Sequence, residues 1–119
     1  MARAGDFDKA IELFRMMLDL DSNNVEARNN IGVTYRILGR YSDALELYLQ
    51  AADLVKRQYG DNSEDLAKIY TNIGIIYNNK QDFELALQYF SYVERIVEVN
   101  DLKTNIALIR PDQSTQDSY

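Results

Sequence analysis

A short segment, NNIGVTY at residues 29–35, recurs almost unchanged as TNIGIIY at residues 71–77. Three aromatic residues, each following a turn, mark the same repetition: 34 residues separate Phe7 from Tyr41, and 42 separate Tyr41 from Phe83. An alanine and a second aromatic residue follow each of them at constant offsets: Ala10, Ala44 and Ala86, then Phe14, Tyr48 and Phe90. A period of 34 residues is typical of stacked helical units, each covering the apolar face of the next.

Helical periodicity accounts for most of the other apolar residues. In the N-terminal segment they fall at steps of three and four: Phe7, Ala10, Ile11, Phe14, Met17 and Leu18. Asn23 followed by Glu26 resembles a capping box that starts a helix, and Asp61 or Ser63 is placed to start another. Gly39 is placed to end one. The sequence therefore predicts an all-α chain.

Composition restricts the kinds of function. The net charge of −6 argues against a nucleic-acid partner, because phosphate contacts need an excess of Lys and Arg. The chain contains no Cys and no His, which removes thiolate metal sites and the commonest general base. The adjacent carboxylates Glu64 and Asp65 point to different faces of a helix and favour a helix start. We therefore expect no enzyme activity, no cofactor and no metal site.

The location of the chain is also constrained by its sequence. The N-terminal segment MARAGDFDKA lacks the apolar core and cleavage site of a signal peptide. The longest apolar runs, such as IGII at residues 73–76, are far shorter than the roughly 20 residues of a membrane span. We therefore expect a cytoplasmic protein without a membrane span.

The repeated residues resemble the tetratricopeptide repeat (TPR). In the first helix of a unit, that family has a large apolar residue, a small residue and an aromatic residue, and these match Ile31, Gly32 and Tyr35, then Ile73, Gly74 and Tyr77. In the second helix, Tyr41, Ala44, Tyr48 and Ala51 match the family pattern. The small residues let the two helices of a pair approach closely. The proline that often closes a repeat is absent, and Val93 replaces a usually small residue.

The resemblance implies a right-handed α-solenoid of antiparallel helix pairs, with about five to six helices. The eight additional residues between the second and third units are similar to the 42-residue variant of kinesin light chains, and fit one extra turn on each flanking helix. Residues 1–110 then form the repeat domain, with a half-repeat at 5–24, repeats at 25–60 and 61–99, and a half-repeat at 100–110. Pro111 is expected to end the last helix, followed by a flexible polar tail at 111–119.

The first helices of such repeats line a concave groove that binds peptides in this family. Carried over to this chain, the resemblance assigns to the groove Asn29, Asn30, Val33, Arg36, Lys68, Asn72, Ile75, Asn79 and Asn105. Asn30, Asn72 and Asn105 occupy equivalent places, and a ladder of amides can bond a peptide backbone whatever its side chains. The alternative is that this asparagine serves helix packing. A carboxylate clamp is not expected, because Asn72 stands where that clamp has an arginine.

The resemblance thus implies a scaffold that binds a peptide or partner helix of another protein. A second possibility is self-association, because the helix at 6–20 lacks the partner of its own unit. We expect Phe7, Ile11, Phe14 and Leu18 to be exposed there and to bind a second copy or the rest of a longer array. Most of the nine tyrosines lie in or beside the apolar stripes, so we assign them to packing.

Overall fold

The computed structural model describes residues 4–116, with side-chain positions for residues 6–108. This part of the chain contains five α-helices and no strand: α1 (Ala4–Leu20), α2 (Val25–Ile37), α3 (Tyr41–Tyr59), α4 (Glu64–Asn79) and α5 (Phe83–Gln116). Each helix packs against the next in the chain, and α2 also contacts α4. The helices therefore form two layers, with α2 and α4 inside and α1, α3 and α5 outside. The prediction of an all-α solenoid is confirmed.

A close approach between helices recurs in the second and third units. A Cβ atom added to Gly32 would lie 2.7 Å from the ring of Tyr48, and one added to Gly74 would lie 2.6 Å from the ring of Phe90. These distances are too short for non-bonded carbon atoms, so a side chain at either glycine would force the facing ring to move. The second aromatic residue of each unit thus packs on the glycine of that unit, and the predicted close approach at the small residue is present.

The helix starts follow local capping chemistry. Asn24 caps α2, where its side chain accepts a hydrogen bond from the backbone N–H of Ala27 at 2.9 Å. Ser63 caps α4 in the same way by accepting from the N–H of Leu66 at 3.2 Å. The cap of α2 therefore lies one residue later than the predicted capping box at Asn23. Of the two residues predicted to cap α4, Asp61 and Ser63, the cap is Ser63.

The eight additional residues of the longer period lengthen two helices. In the register set by Phe7 and Tyr41, the last residue of α1 corresponds to Leu54, so α3 continues five residues further. In the register set by Tyr41 and Phe83, the first residue of α2 corresponds to Ala67, so α4 begins three residues earlier. The connections at 21–24 and 60–63 both contain four residues. The insertion thus projects the end of α3 and the start of α4 beyond the rest of the stack.

The last helix differs from the expectation. α5 is a single helix of 34 residues that continues through residues 100–110 and past Pro111 to Gln116. The predicted separate half-repeat at 100–110, ended by Pro111, was wrong. Residues 84–110 contain no glycine or proline, the residues that most often interrupt a helix. Pro111 lies within this helix, although proline lacks the backbone N–H that a helix interior normally uses. Of the predicted flexible tail, residues 111–116 are helical and 117–119 lie outside the described residues.

The first helix also differs from the expectation. Ile11 is buried, Phe14 and Leu18 pack against the core, and Phe7 is half-buried. The prediction that this stripe is exposed was wrong, because α1 turns it towards α2 of the next unit. The exposed apolar side chains lie on another face of α1: Leu13, Met16, Met17 and Leu20.

Candidate functional site

The inner face of the solenoid is formed by α2 and α4. One hydrogen bond joins these helices directly: Asn72 Nδ2 donates to Asn29 Oδ1 at 3.3 Å, and both side chains are half-buried. Asn72 therefore joins one unit to the next, as in the alternative that this asparagine serves helix packing. The amide of Asn29 and the carbonyl of Asn72 have no other hydrogen-bond partner in the described part of the chain, so each can still bond a ligand.

Asn30 corresponds in register to Asn72 but makes a different set of contacts. Its backbone carbonyl accepts a hydrogen bond from Thr34 Oγ1 at 2.9 Å, while its half-buried side-chain amide has no partner among the described residues. Since Asn72 bonds the inner helix of the preceding unit, the equivalent direction from Asn30 leads to a place where the described residues have no inner helix. The amide of Asn30 is therefore available to a ligand or to a further repeat.

Four other predicted groove residues follow the same two helices. Val33 packs against the core and Ile75 is half-buried, so these two provide the apolar base of the inner face. Asn79 is exposed at the end of α4. Arg36 is half-buried with its Nε inaccessible to solvent.

Arg36 also lies beside the buried side chain of Tyr48. Tyr48 is fully buried, and its burial raises the pKa of the phenol, an effect that the neighbouring Arg36 guanidinium opposes. Neither Arg36 Nε nor Tyr48 Oη has a hydrogen-bond partner of good geometry. The pair thus places polar atoms at the contact of α2 and α3.

A cleft of about 580 Å³ opens on the inner face at the first turns of α2 and α4. Two predicted groove residues, Asn29 and Lys68, line it together. The last turn of α3 closes it from behind. The remaining lining residues are Asp21, Asn23, Asn24, Val25, Glu26, Val55, Gln58, Tyr59, Asp65 and Ile69. We call this the inner cleft.

The inner cleft is acidic. Asp21, Glu26 and Asp65 contribute three carboxylates, and Lys68 contributes the single ammonium group of the lining. None of these four side chains forms an ion pair within the described residues. Because the cleft carries excess negative charge, a basic group on a ligand is favoured there.

The third asparagine of the predicted ladder lies elsewhere. Across from the start of α4, a surface groove pairs Glu64 and Lys68 with Val97 and Asn100 of α5. Asn105 is exposed on the part of α5 that runs past this level, whereas Asn72 lies two turns inside α4. The two are thus separated by between three and four helical turns, roughly 20 Å along the helix axes. The structure does not bring Asn105 to the other two, because residues 100–110 do not fold back.

A second cleft was not predicted. It lies on the outer side of α4 between α3 and α5, with a volume of about 570 Å³, and Tyr70, Tyr89 and Tyr92 form its walls. Sequence reasoning assigned the tyrosines to packing and did not single out Lys56 or Arg95, which also line the cleft. The available signal was the helix extension, because the added turns of α3 and α4 form one end of both clefts. We call this the outer cleft.

Comparison with known proteins decides the family. The pattern of the tetratricopeptide repeat matches residues 24–97, which is more than half of the chain. The chain belongs to the tetratricopeptide repeat family. The matched segment begins at the cap of α2 and ends within α5, so it contains α2, α3, α4 and the first part of α5. Repeats of this family form a non-catalytic, protein-interaction fold, and the two clefts lie on the two faces of that fold.

Two known proteins are similar to this chain in sequence. Tetratricopeptide repeat protein 8 of Caenorhabditis elegans is 31% identical over 83 residues, which cover 70% of this chain and 15% of that protein. The Hsp70-Hsp90 organising protein of Plasmodium falciparum (isolate 3D7) is 26% identical over 104 residues, which cover 86% of this chain and 18% of that protein. The chain thus spans less than a fifth of the length of either relative.

A solved structure has the same fold. The crystal structure of BtubC (BKLC) from P. vanneervenii superposes with a TM-score of 0.72 at 24% identity, covering 77% of this chain and 39% of that one. At this identity the likeness concerns the arrangement of helices and not the chemistry of the clefts. Among the helices of the described residues, none combines the length and the apolar content that a membrane span requires.

Proposed function

We propose that the chain binds an extended, basic peptide segment of a partner protein on the inner face of its TPR units. The observation that carries this proposal is the inner cleft, where the unpaired carboxylates and the amide of Asn29 lie between two inner helices. Amides bond the peptide backbone in either direction, and carboxylates select the side chains. The half-buried side chains of Val33 and Ile75 supply apolar contact further along the same face.

The charge of the inner cleft defines the ligand class. The carboxylates of Glu26 and Asp65 belong to the first turns of α2 and α4, on the two sides of the cleft. A lysine or arginine side chain placed between them neutralises the excess charge. These carboxylates would repel a strongly acidic peptide.

Selection from a peptide library followed by titration tests this proposal. Peptides selected on the immobilised protein are measured by calorimetry against the wild type and against Glu26→Lys/Asp65→Lys. We expect basic peptides to be enriched and the double variant to bind at least about tenfold more weakly, as for a lost charge pair in a desolvated site. Replacing the basic residues of the peptide with glutamine should weaken binding to the wild type similarly.

The matched control changes the same charge elsewhere. Glu46→Lys/Glu94→Lys alters two exposed carboxylates on α3 and α5, outside the inner cleft. This variant should bind within about twofold of the wild type, because exposed charges at this distance are screened. If both double variants lose affinity equally, the inner cleft is not the site.

A second candidate function is pairing of two copies through α1. Leu13, Met16, Met17 and Leu20 recur at steps of three, one and three residues and form one apolar stripe on α1. Leu20 is 90% exposed and Leu13 is 61% exposed. A stripe of this kind is expected to pack against another helix, and the same stripe of a second copy is a complementary surface.

Light scattering over a range of protein concentration tests the pairing. The wild type should approach the mass of two chains, and Leu13→Glu/Met16→Glu should remain at the mass of one. Lys9→Glu, an exposed change on the same helix, serves as the control and should pair like the wild type. A wild-type mass that stays at one chain throughout would reject this function without affecting the peptide proposal.

A further inference from the structure

The outer cleft contains three tyrosines at positions where the preceding unit has other residue types. Tyr70, Tyr89 and Tyr92 form three mutual ring contacts, with centroids 5.4 Å (Tyr70–Tyr89), 5.6 Å (Tyr70–Tyr92) and 5.7 Å (Tyr89–Tyr92) apart. The corresponding residues of the preceding unit, 42 positions earlier, are Arg28, Leu47 and Gln50. Packing of helix pairs therefore does not require tyrosine at these places, and the cluster is particular to the third unit.

The cluster is held in place by its neighbours. Tyr77 stacks on Tyr89 with centroids 5.8 Å apart, and Tyr70 is buried against the core. Leu66 and Ile96, both buried, form the floor of the outer cleft. Rigid aromatic walls over an apolar floor provide contact area at a small cost in side-chain entropy.

The outer cleft is also rich in hydrogen-bond donors. Tyr92 Oη accepts a hydrogen bond from Gln88 Nε2 at 2.7 Å, which leaves its own hydrogen free to be donated. The Tyr89 hydroxyl has no hydrogen-bond partner in the described part of the chain. Burial raises the pKa of Tyr89, so this phenol remains protonated at neutral pH and can donate. Two phenol hydroxyls thus offer hydrogens to a ligand.

Two cations line the same cleft. Lys56 Nζ lies 5.6 Å from the ring centroid of Tyr70, and its contact with the Tyr70 side chain raises the pKa of the ammonium group. Arg95 has no ion-pair or hydrogen-bond partner within residues 6–108. Asp61 is the single carboxylate of the lining. The outer cleft therefore carries excess positive charge on a chain whose net charge is −6.

We propose that the outer cleft binds an acidic segment of a partner protein, in which a carboxylate side chain contacts Lys56, Arg95 and the tyrosine hydroxyls while an adjacent apolar side chain packs on the tyrosine rings. Donors and cations together select a carboxylate. The charge preference is opposite to that of the inner cleft. The two faces of α4 therefore bind segments of different charge, and this second site does not depend on the first.

A defined acidic peptide tests the proposal. The probe is an eight-residue fluorescein-labelled peptide of glutamates interrupted by two phenylalanines, and its control replaces every glutamate with glutamine. We expect fluorescence anisotropy to show saturable binding of the acidic probe, weakened by added salt, and about tenfold weaker binding of the control. Absence of binding, or equal binding of both peptides, would overturn the proposal.

Matched charge reversals locate the binding. Lys56→Glu/Arg95→Glu should weaken binding of the acidic probe at least about tenfold. Arg57→Glu/Lys103→Glu makes the same change of charge on the same two helices outside the outer cleft and should stay within about twofold. Equal losses in both would show an effect of net charge alone and reject the site. Should the first variant fail to fold, Lys56→Gln/Arg95→Gln replaces it, with the same expected direction.

Two further measurements distinguish binding in the outer cleft from binding elsewhere on the chain. The chain contains no tryptophan, so its intrinsic emission comes from tyrosine, and the probe without its label should change that emission on binding. Tyr89→Phe/Tyr92→Phe keeps the rings and removes the hydroxyls, so binding should weaken by about three- to tenfold. Glu26→Lys/Asp65→Lys, which alters only the inner cleft, should bind the acidic probe within about twofold of the wild type. Binding at least about tenfold tighter in that variant would instead assign the probe to the inner cleft, because the change replaces repulsion of the glutamates with attraction.

Discussion

The two complete helix pairs, α2–α3 and α4–α5, meet the same packing requirement with partly different side chains. Ile31 and Ile73 occupy equivalent buried places, and a glycine follows each of them under an aromatic ring. At the turns, however, Gly39 has φ 78° and the equivalent Gln81 has φ 64°. The comparison shows that the two units keep the same backbone conformation at this turn. The residue type differs there because the position is exposed to solvent.

The largest expected effect tests whether the two units share one core. Ile31→Ala and Ile73→Ala each remove a side chain that is 1% exposed or less. Because each leaves a cavity in the same continuous core, we expect each to lower the free energy of unfolding by about 2–5 kcal/mol. Urea unfolding followed by circular dichroism measures both. A loss below about 1 kcal/mol in only one variant would show that the units are not packed equivalently.

The second prediction separates the two glycines. Gly32→Ala forces the ring of Tyr48 to move, and Tyr48 is fully buried, whereas Gly74→Ala pushes Phe90, which is half-buried. Overpacking costs about 1–3 kcal/mol, and alanine regains about 1 kcal/mol of helix propensity. We therefore expect Gly32→Ala to destabilise the chain by about 1–2 kcal/mol and Gly74→Ala to be nearly neutral in thermal or urea unfolding. The reverse order would contradict the comparison.

The third prediction exchanges the turn residues. Gln81 lies in the left-handed region that costs a residue with a Cβ atom about 1 kcal/mol or more. Gln81→Gly should raise the free energy of unfolding, and Gly39→Gln should lower it. Each change should be about 0.5–1 kcal/mol, because the greater conformational freedom of glycine in the unfolded chain offsets part of the effect. Paired melting curves measure both signs. Two changes of the same sign would mean that the turns are not equivalent.

The smallest expected effect concerns the contact between the units. A double-mutant cycle of Asn29→Ala and Asn72→Ala should give a coupling energy of about 0.5–1 kcal/mol, because the bond joins half-buried amides. The exposed bond from Arg28 Nε to Gln50 Oε1, 3.2 Å long, provides the matched cycle and should give less than about 0.5 kcal/mol. Equal couplings would remove any special role of the Asn29–Asn72 bond in joining the units.

Features that depend on nearby residues in the sequence were predictable. The small residue that allows a close approach was visible as a repeated glycine, and the structure places the ring of Tyr48 on Gly32. The longer period also predicted longer helices. The inner cleft was anticipated only through Asn29 and Lys68, because its other charged residues come from chain segments that meet at the helix ends.

Features that depend on a neighbouring helix were not predictable. Both stripes of α1 have helical spacing, and only the position of α2 decides that Ile11 is covered while Leu20 is exposed. The half-repeat predicted at 100–110 required the chain to turn back before it, but α5 continues through this segment as one helix. Asn105 consequently lies far from Asn72, although the two match in sequence.

Periodicity and residue type determine the helices, the family and the close contact within each unit, because these rest on steric rules that act over a few residues. The tertiary structure decides which faces remain open and what charge they carry. Lys56, Tyr70 and Arg95 come from three different helices and line one cleft, which Lys56 reaches from the added turn of α3. Binding chemistry at such a place depends on distances between helices, and those distances are absent from the order of residues along the chain.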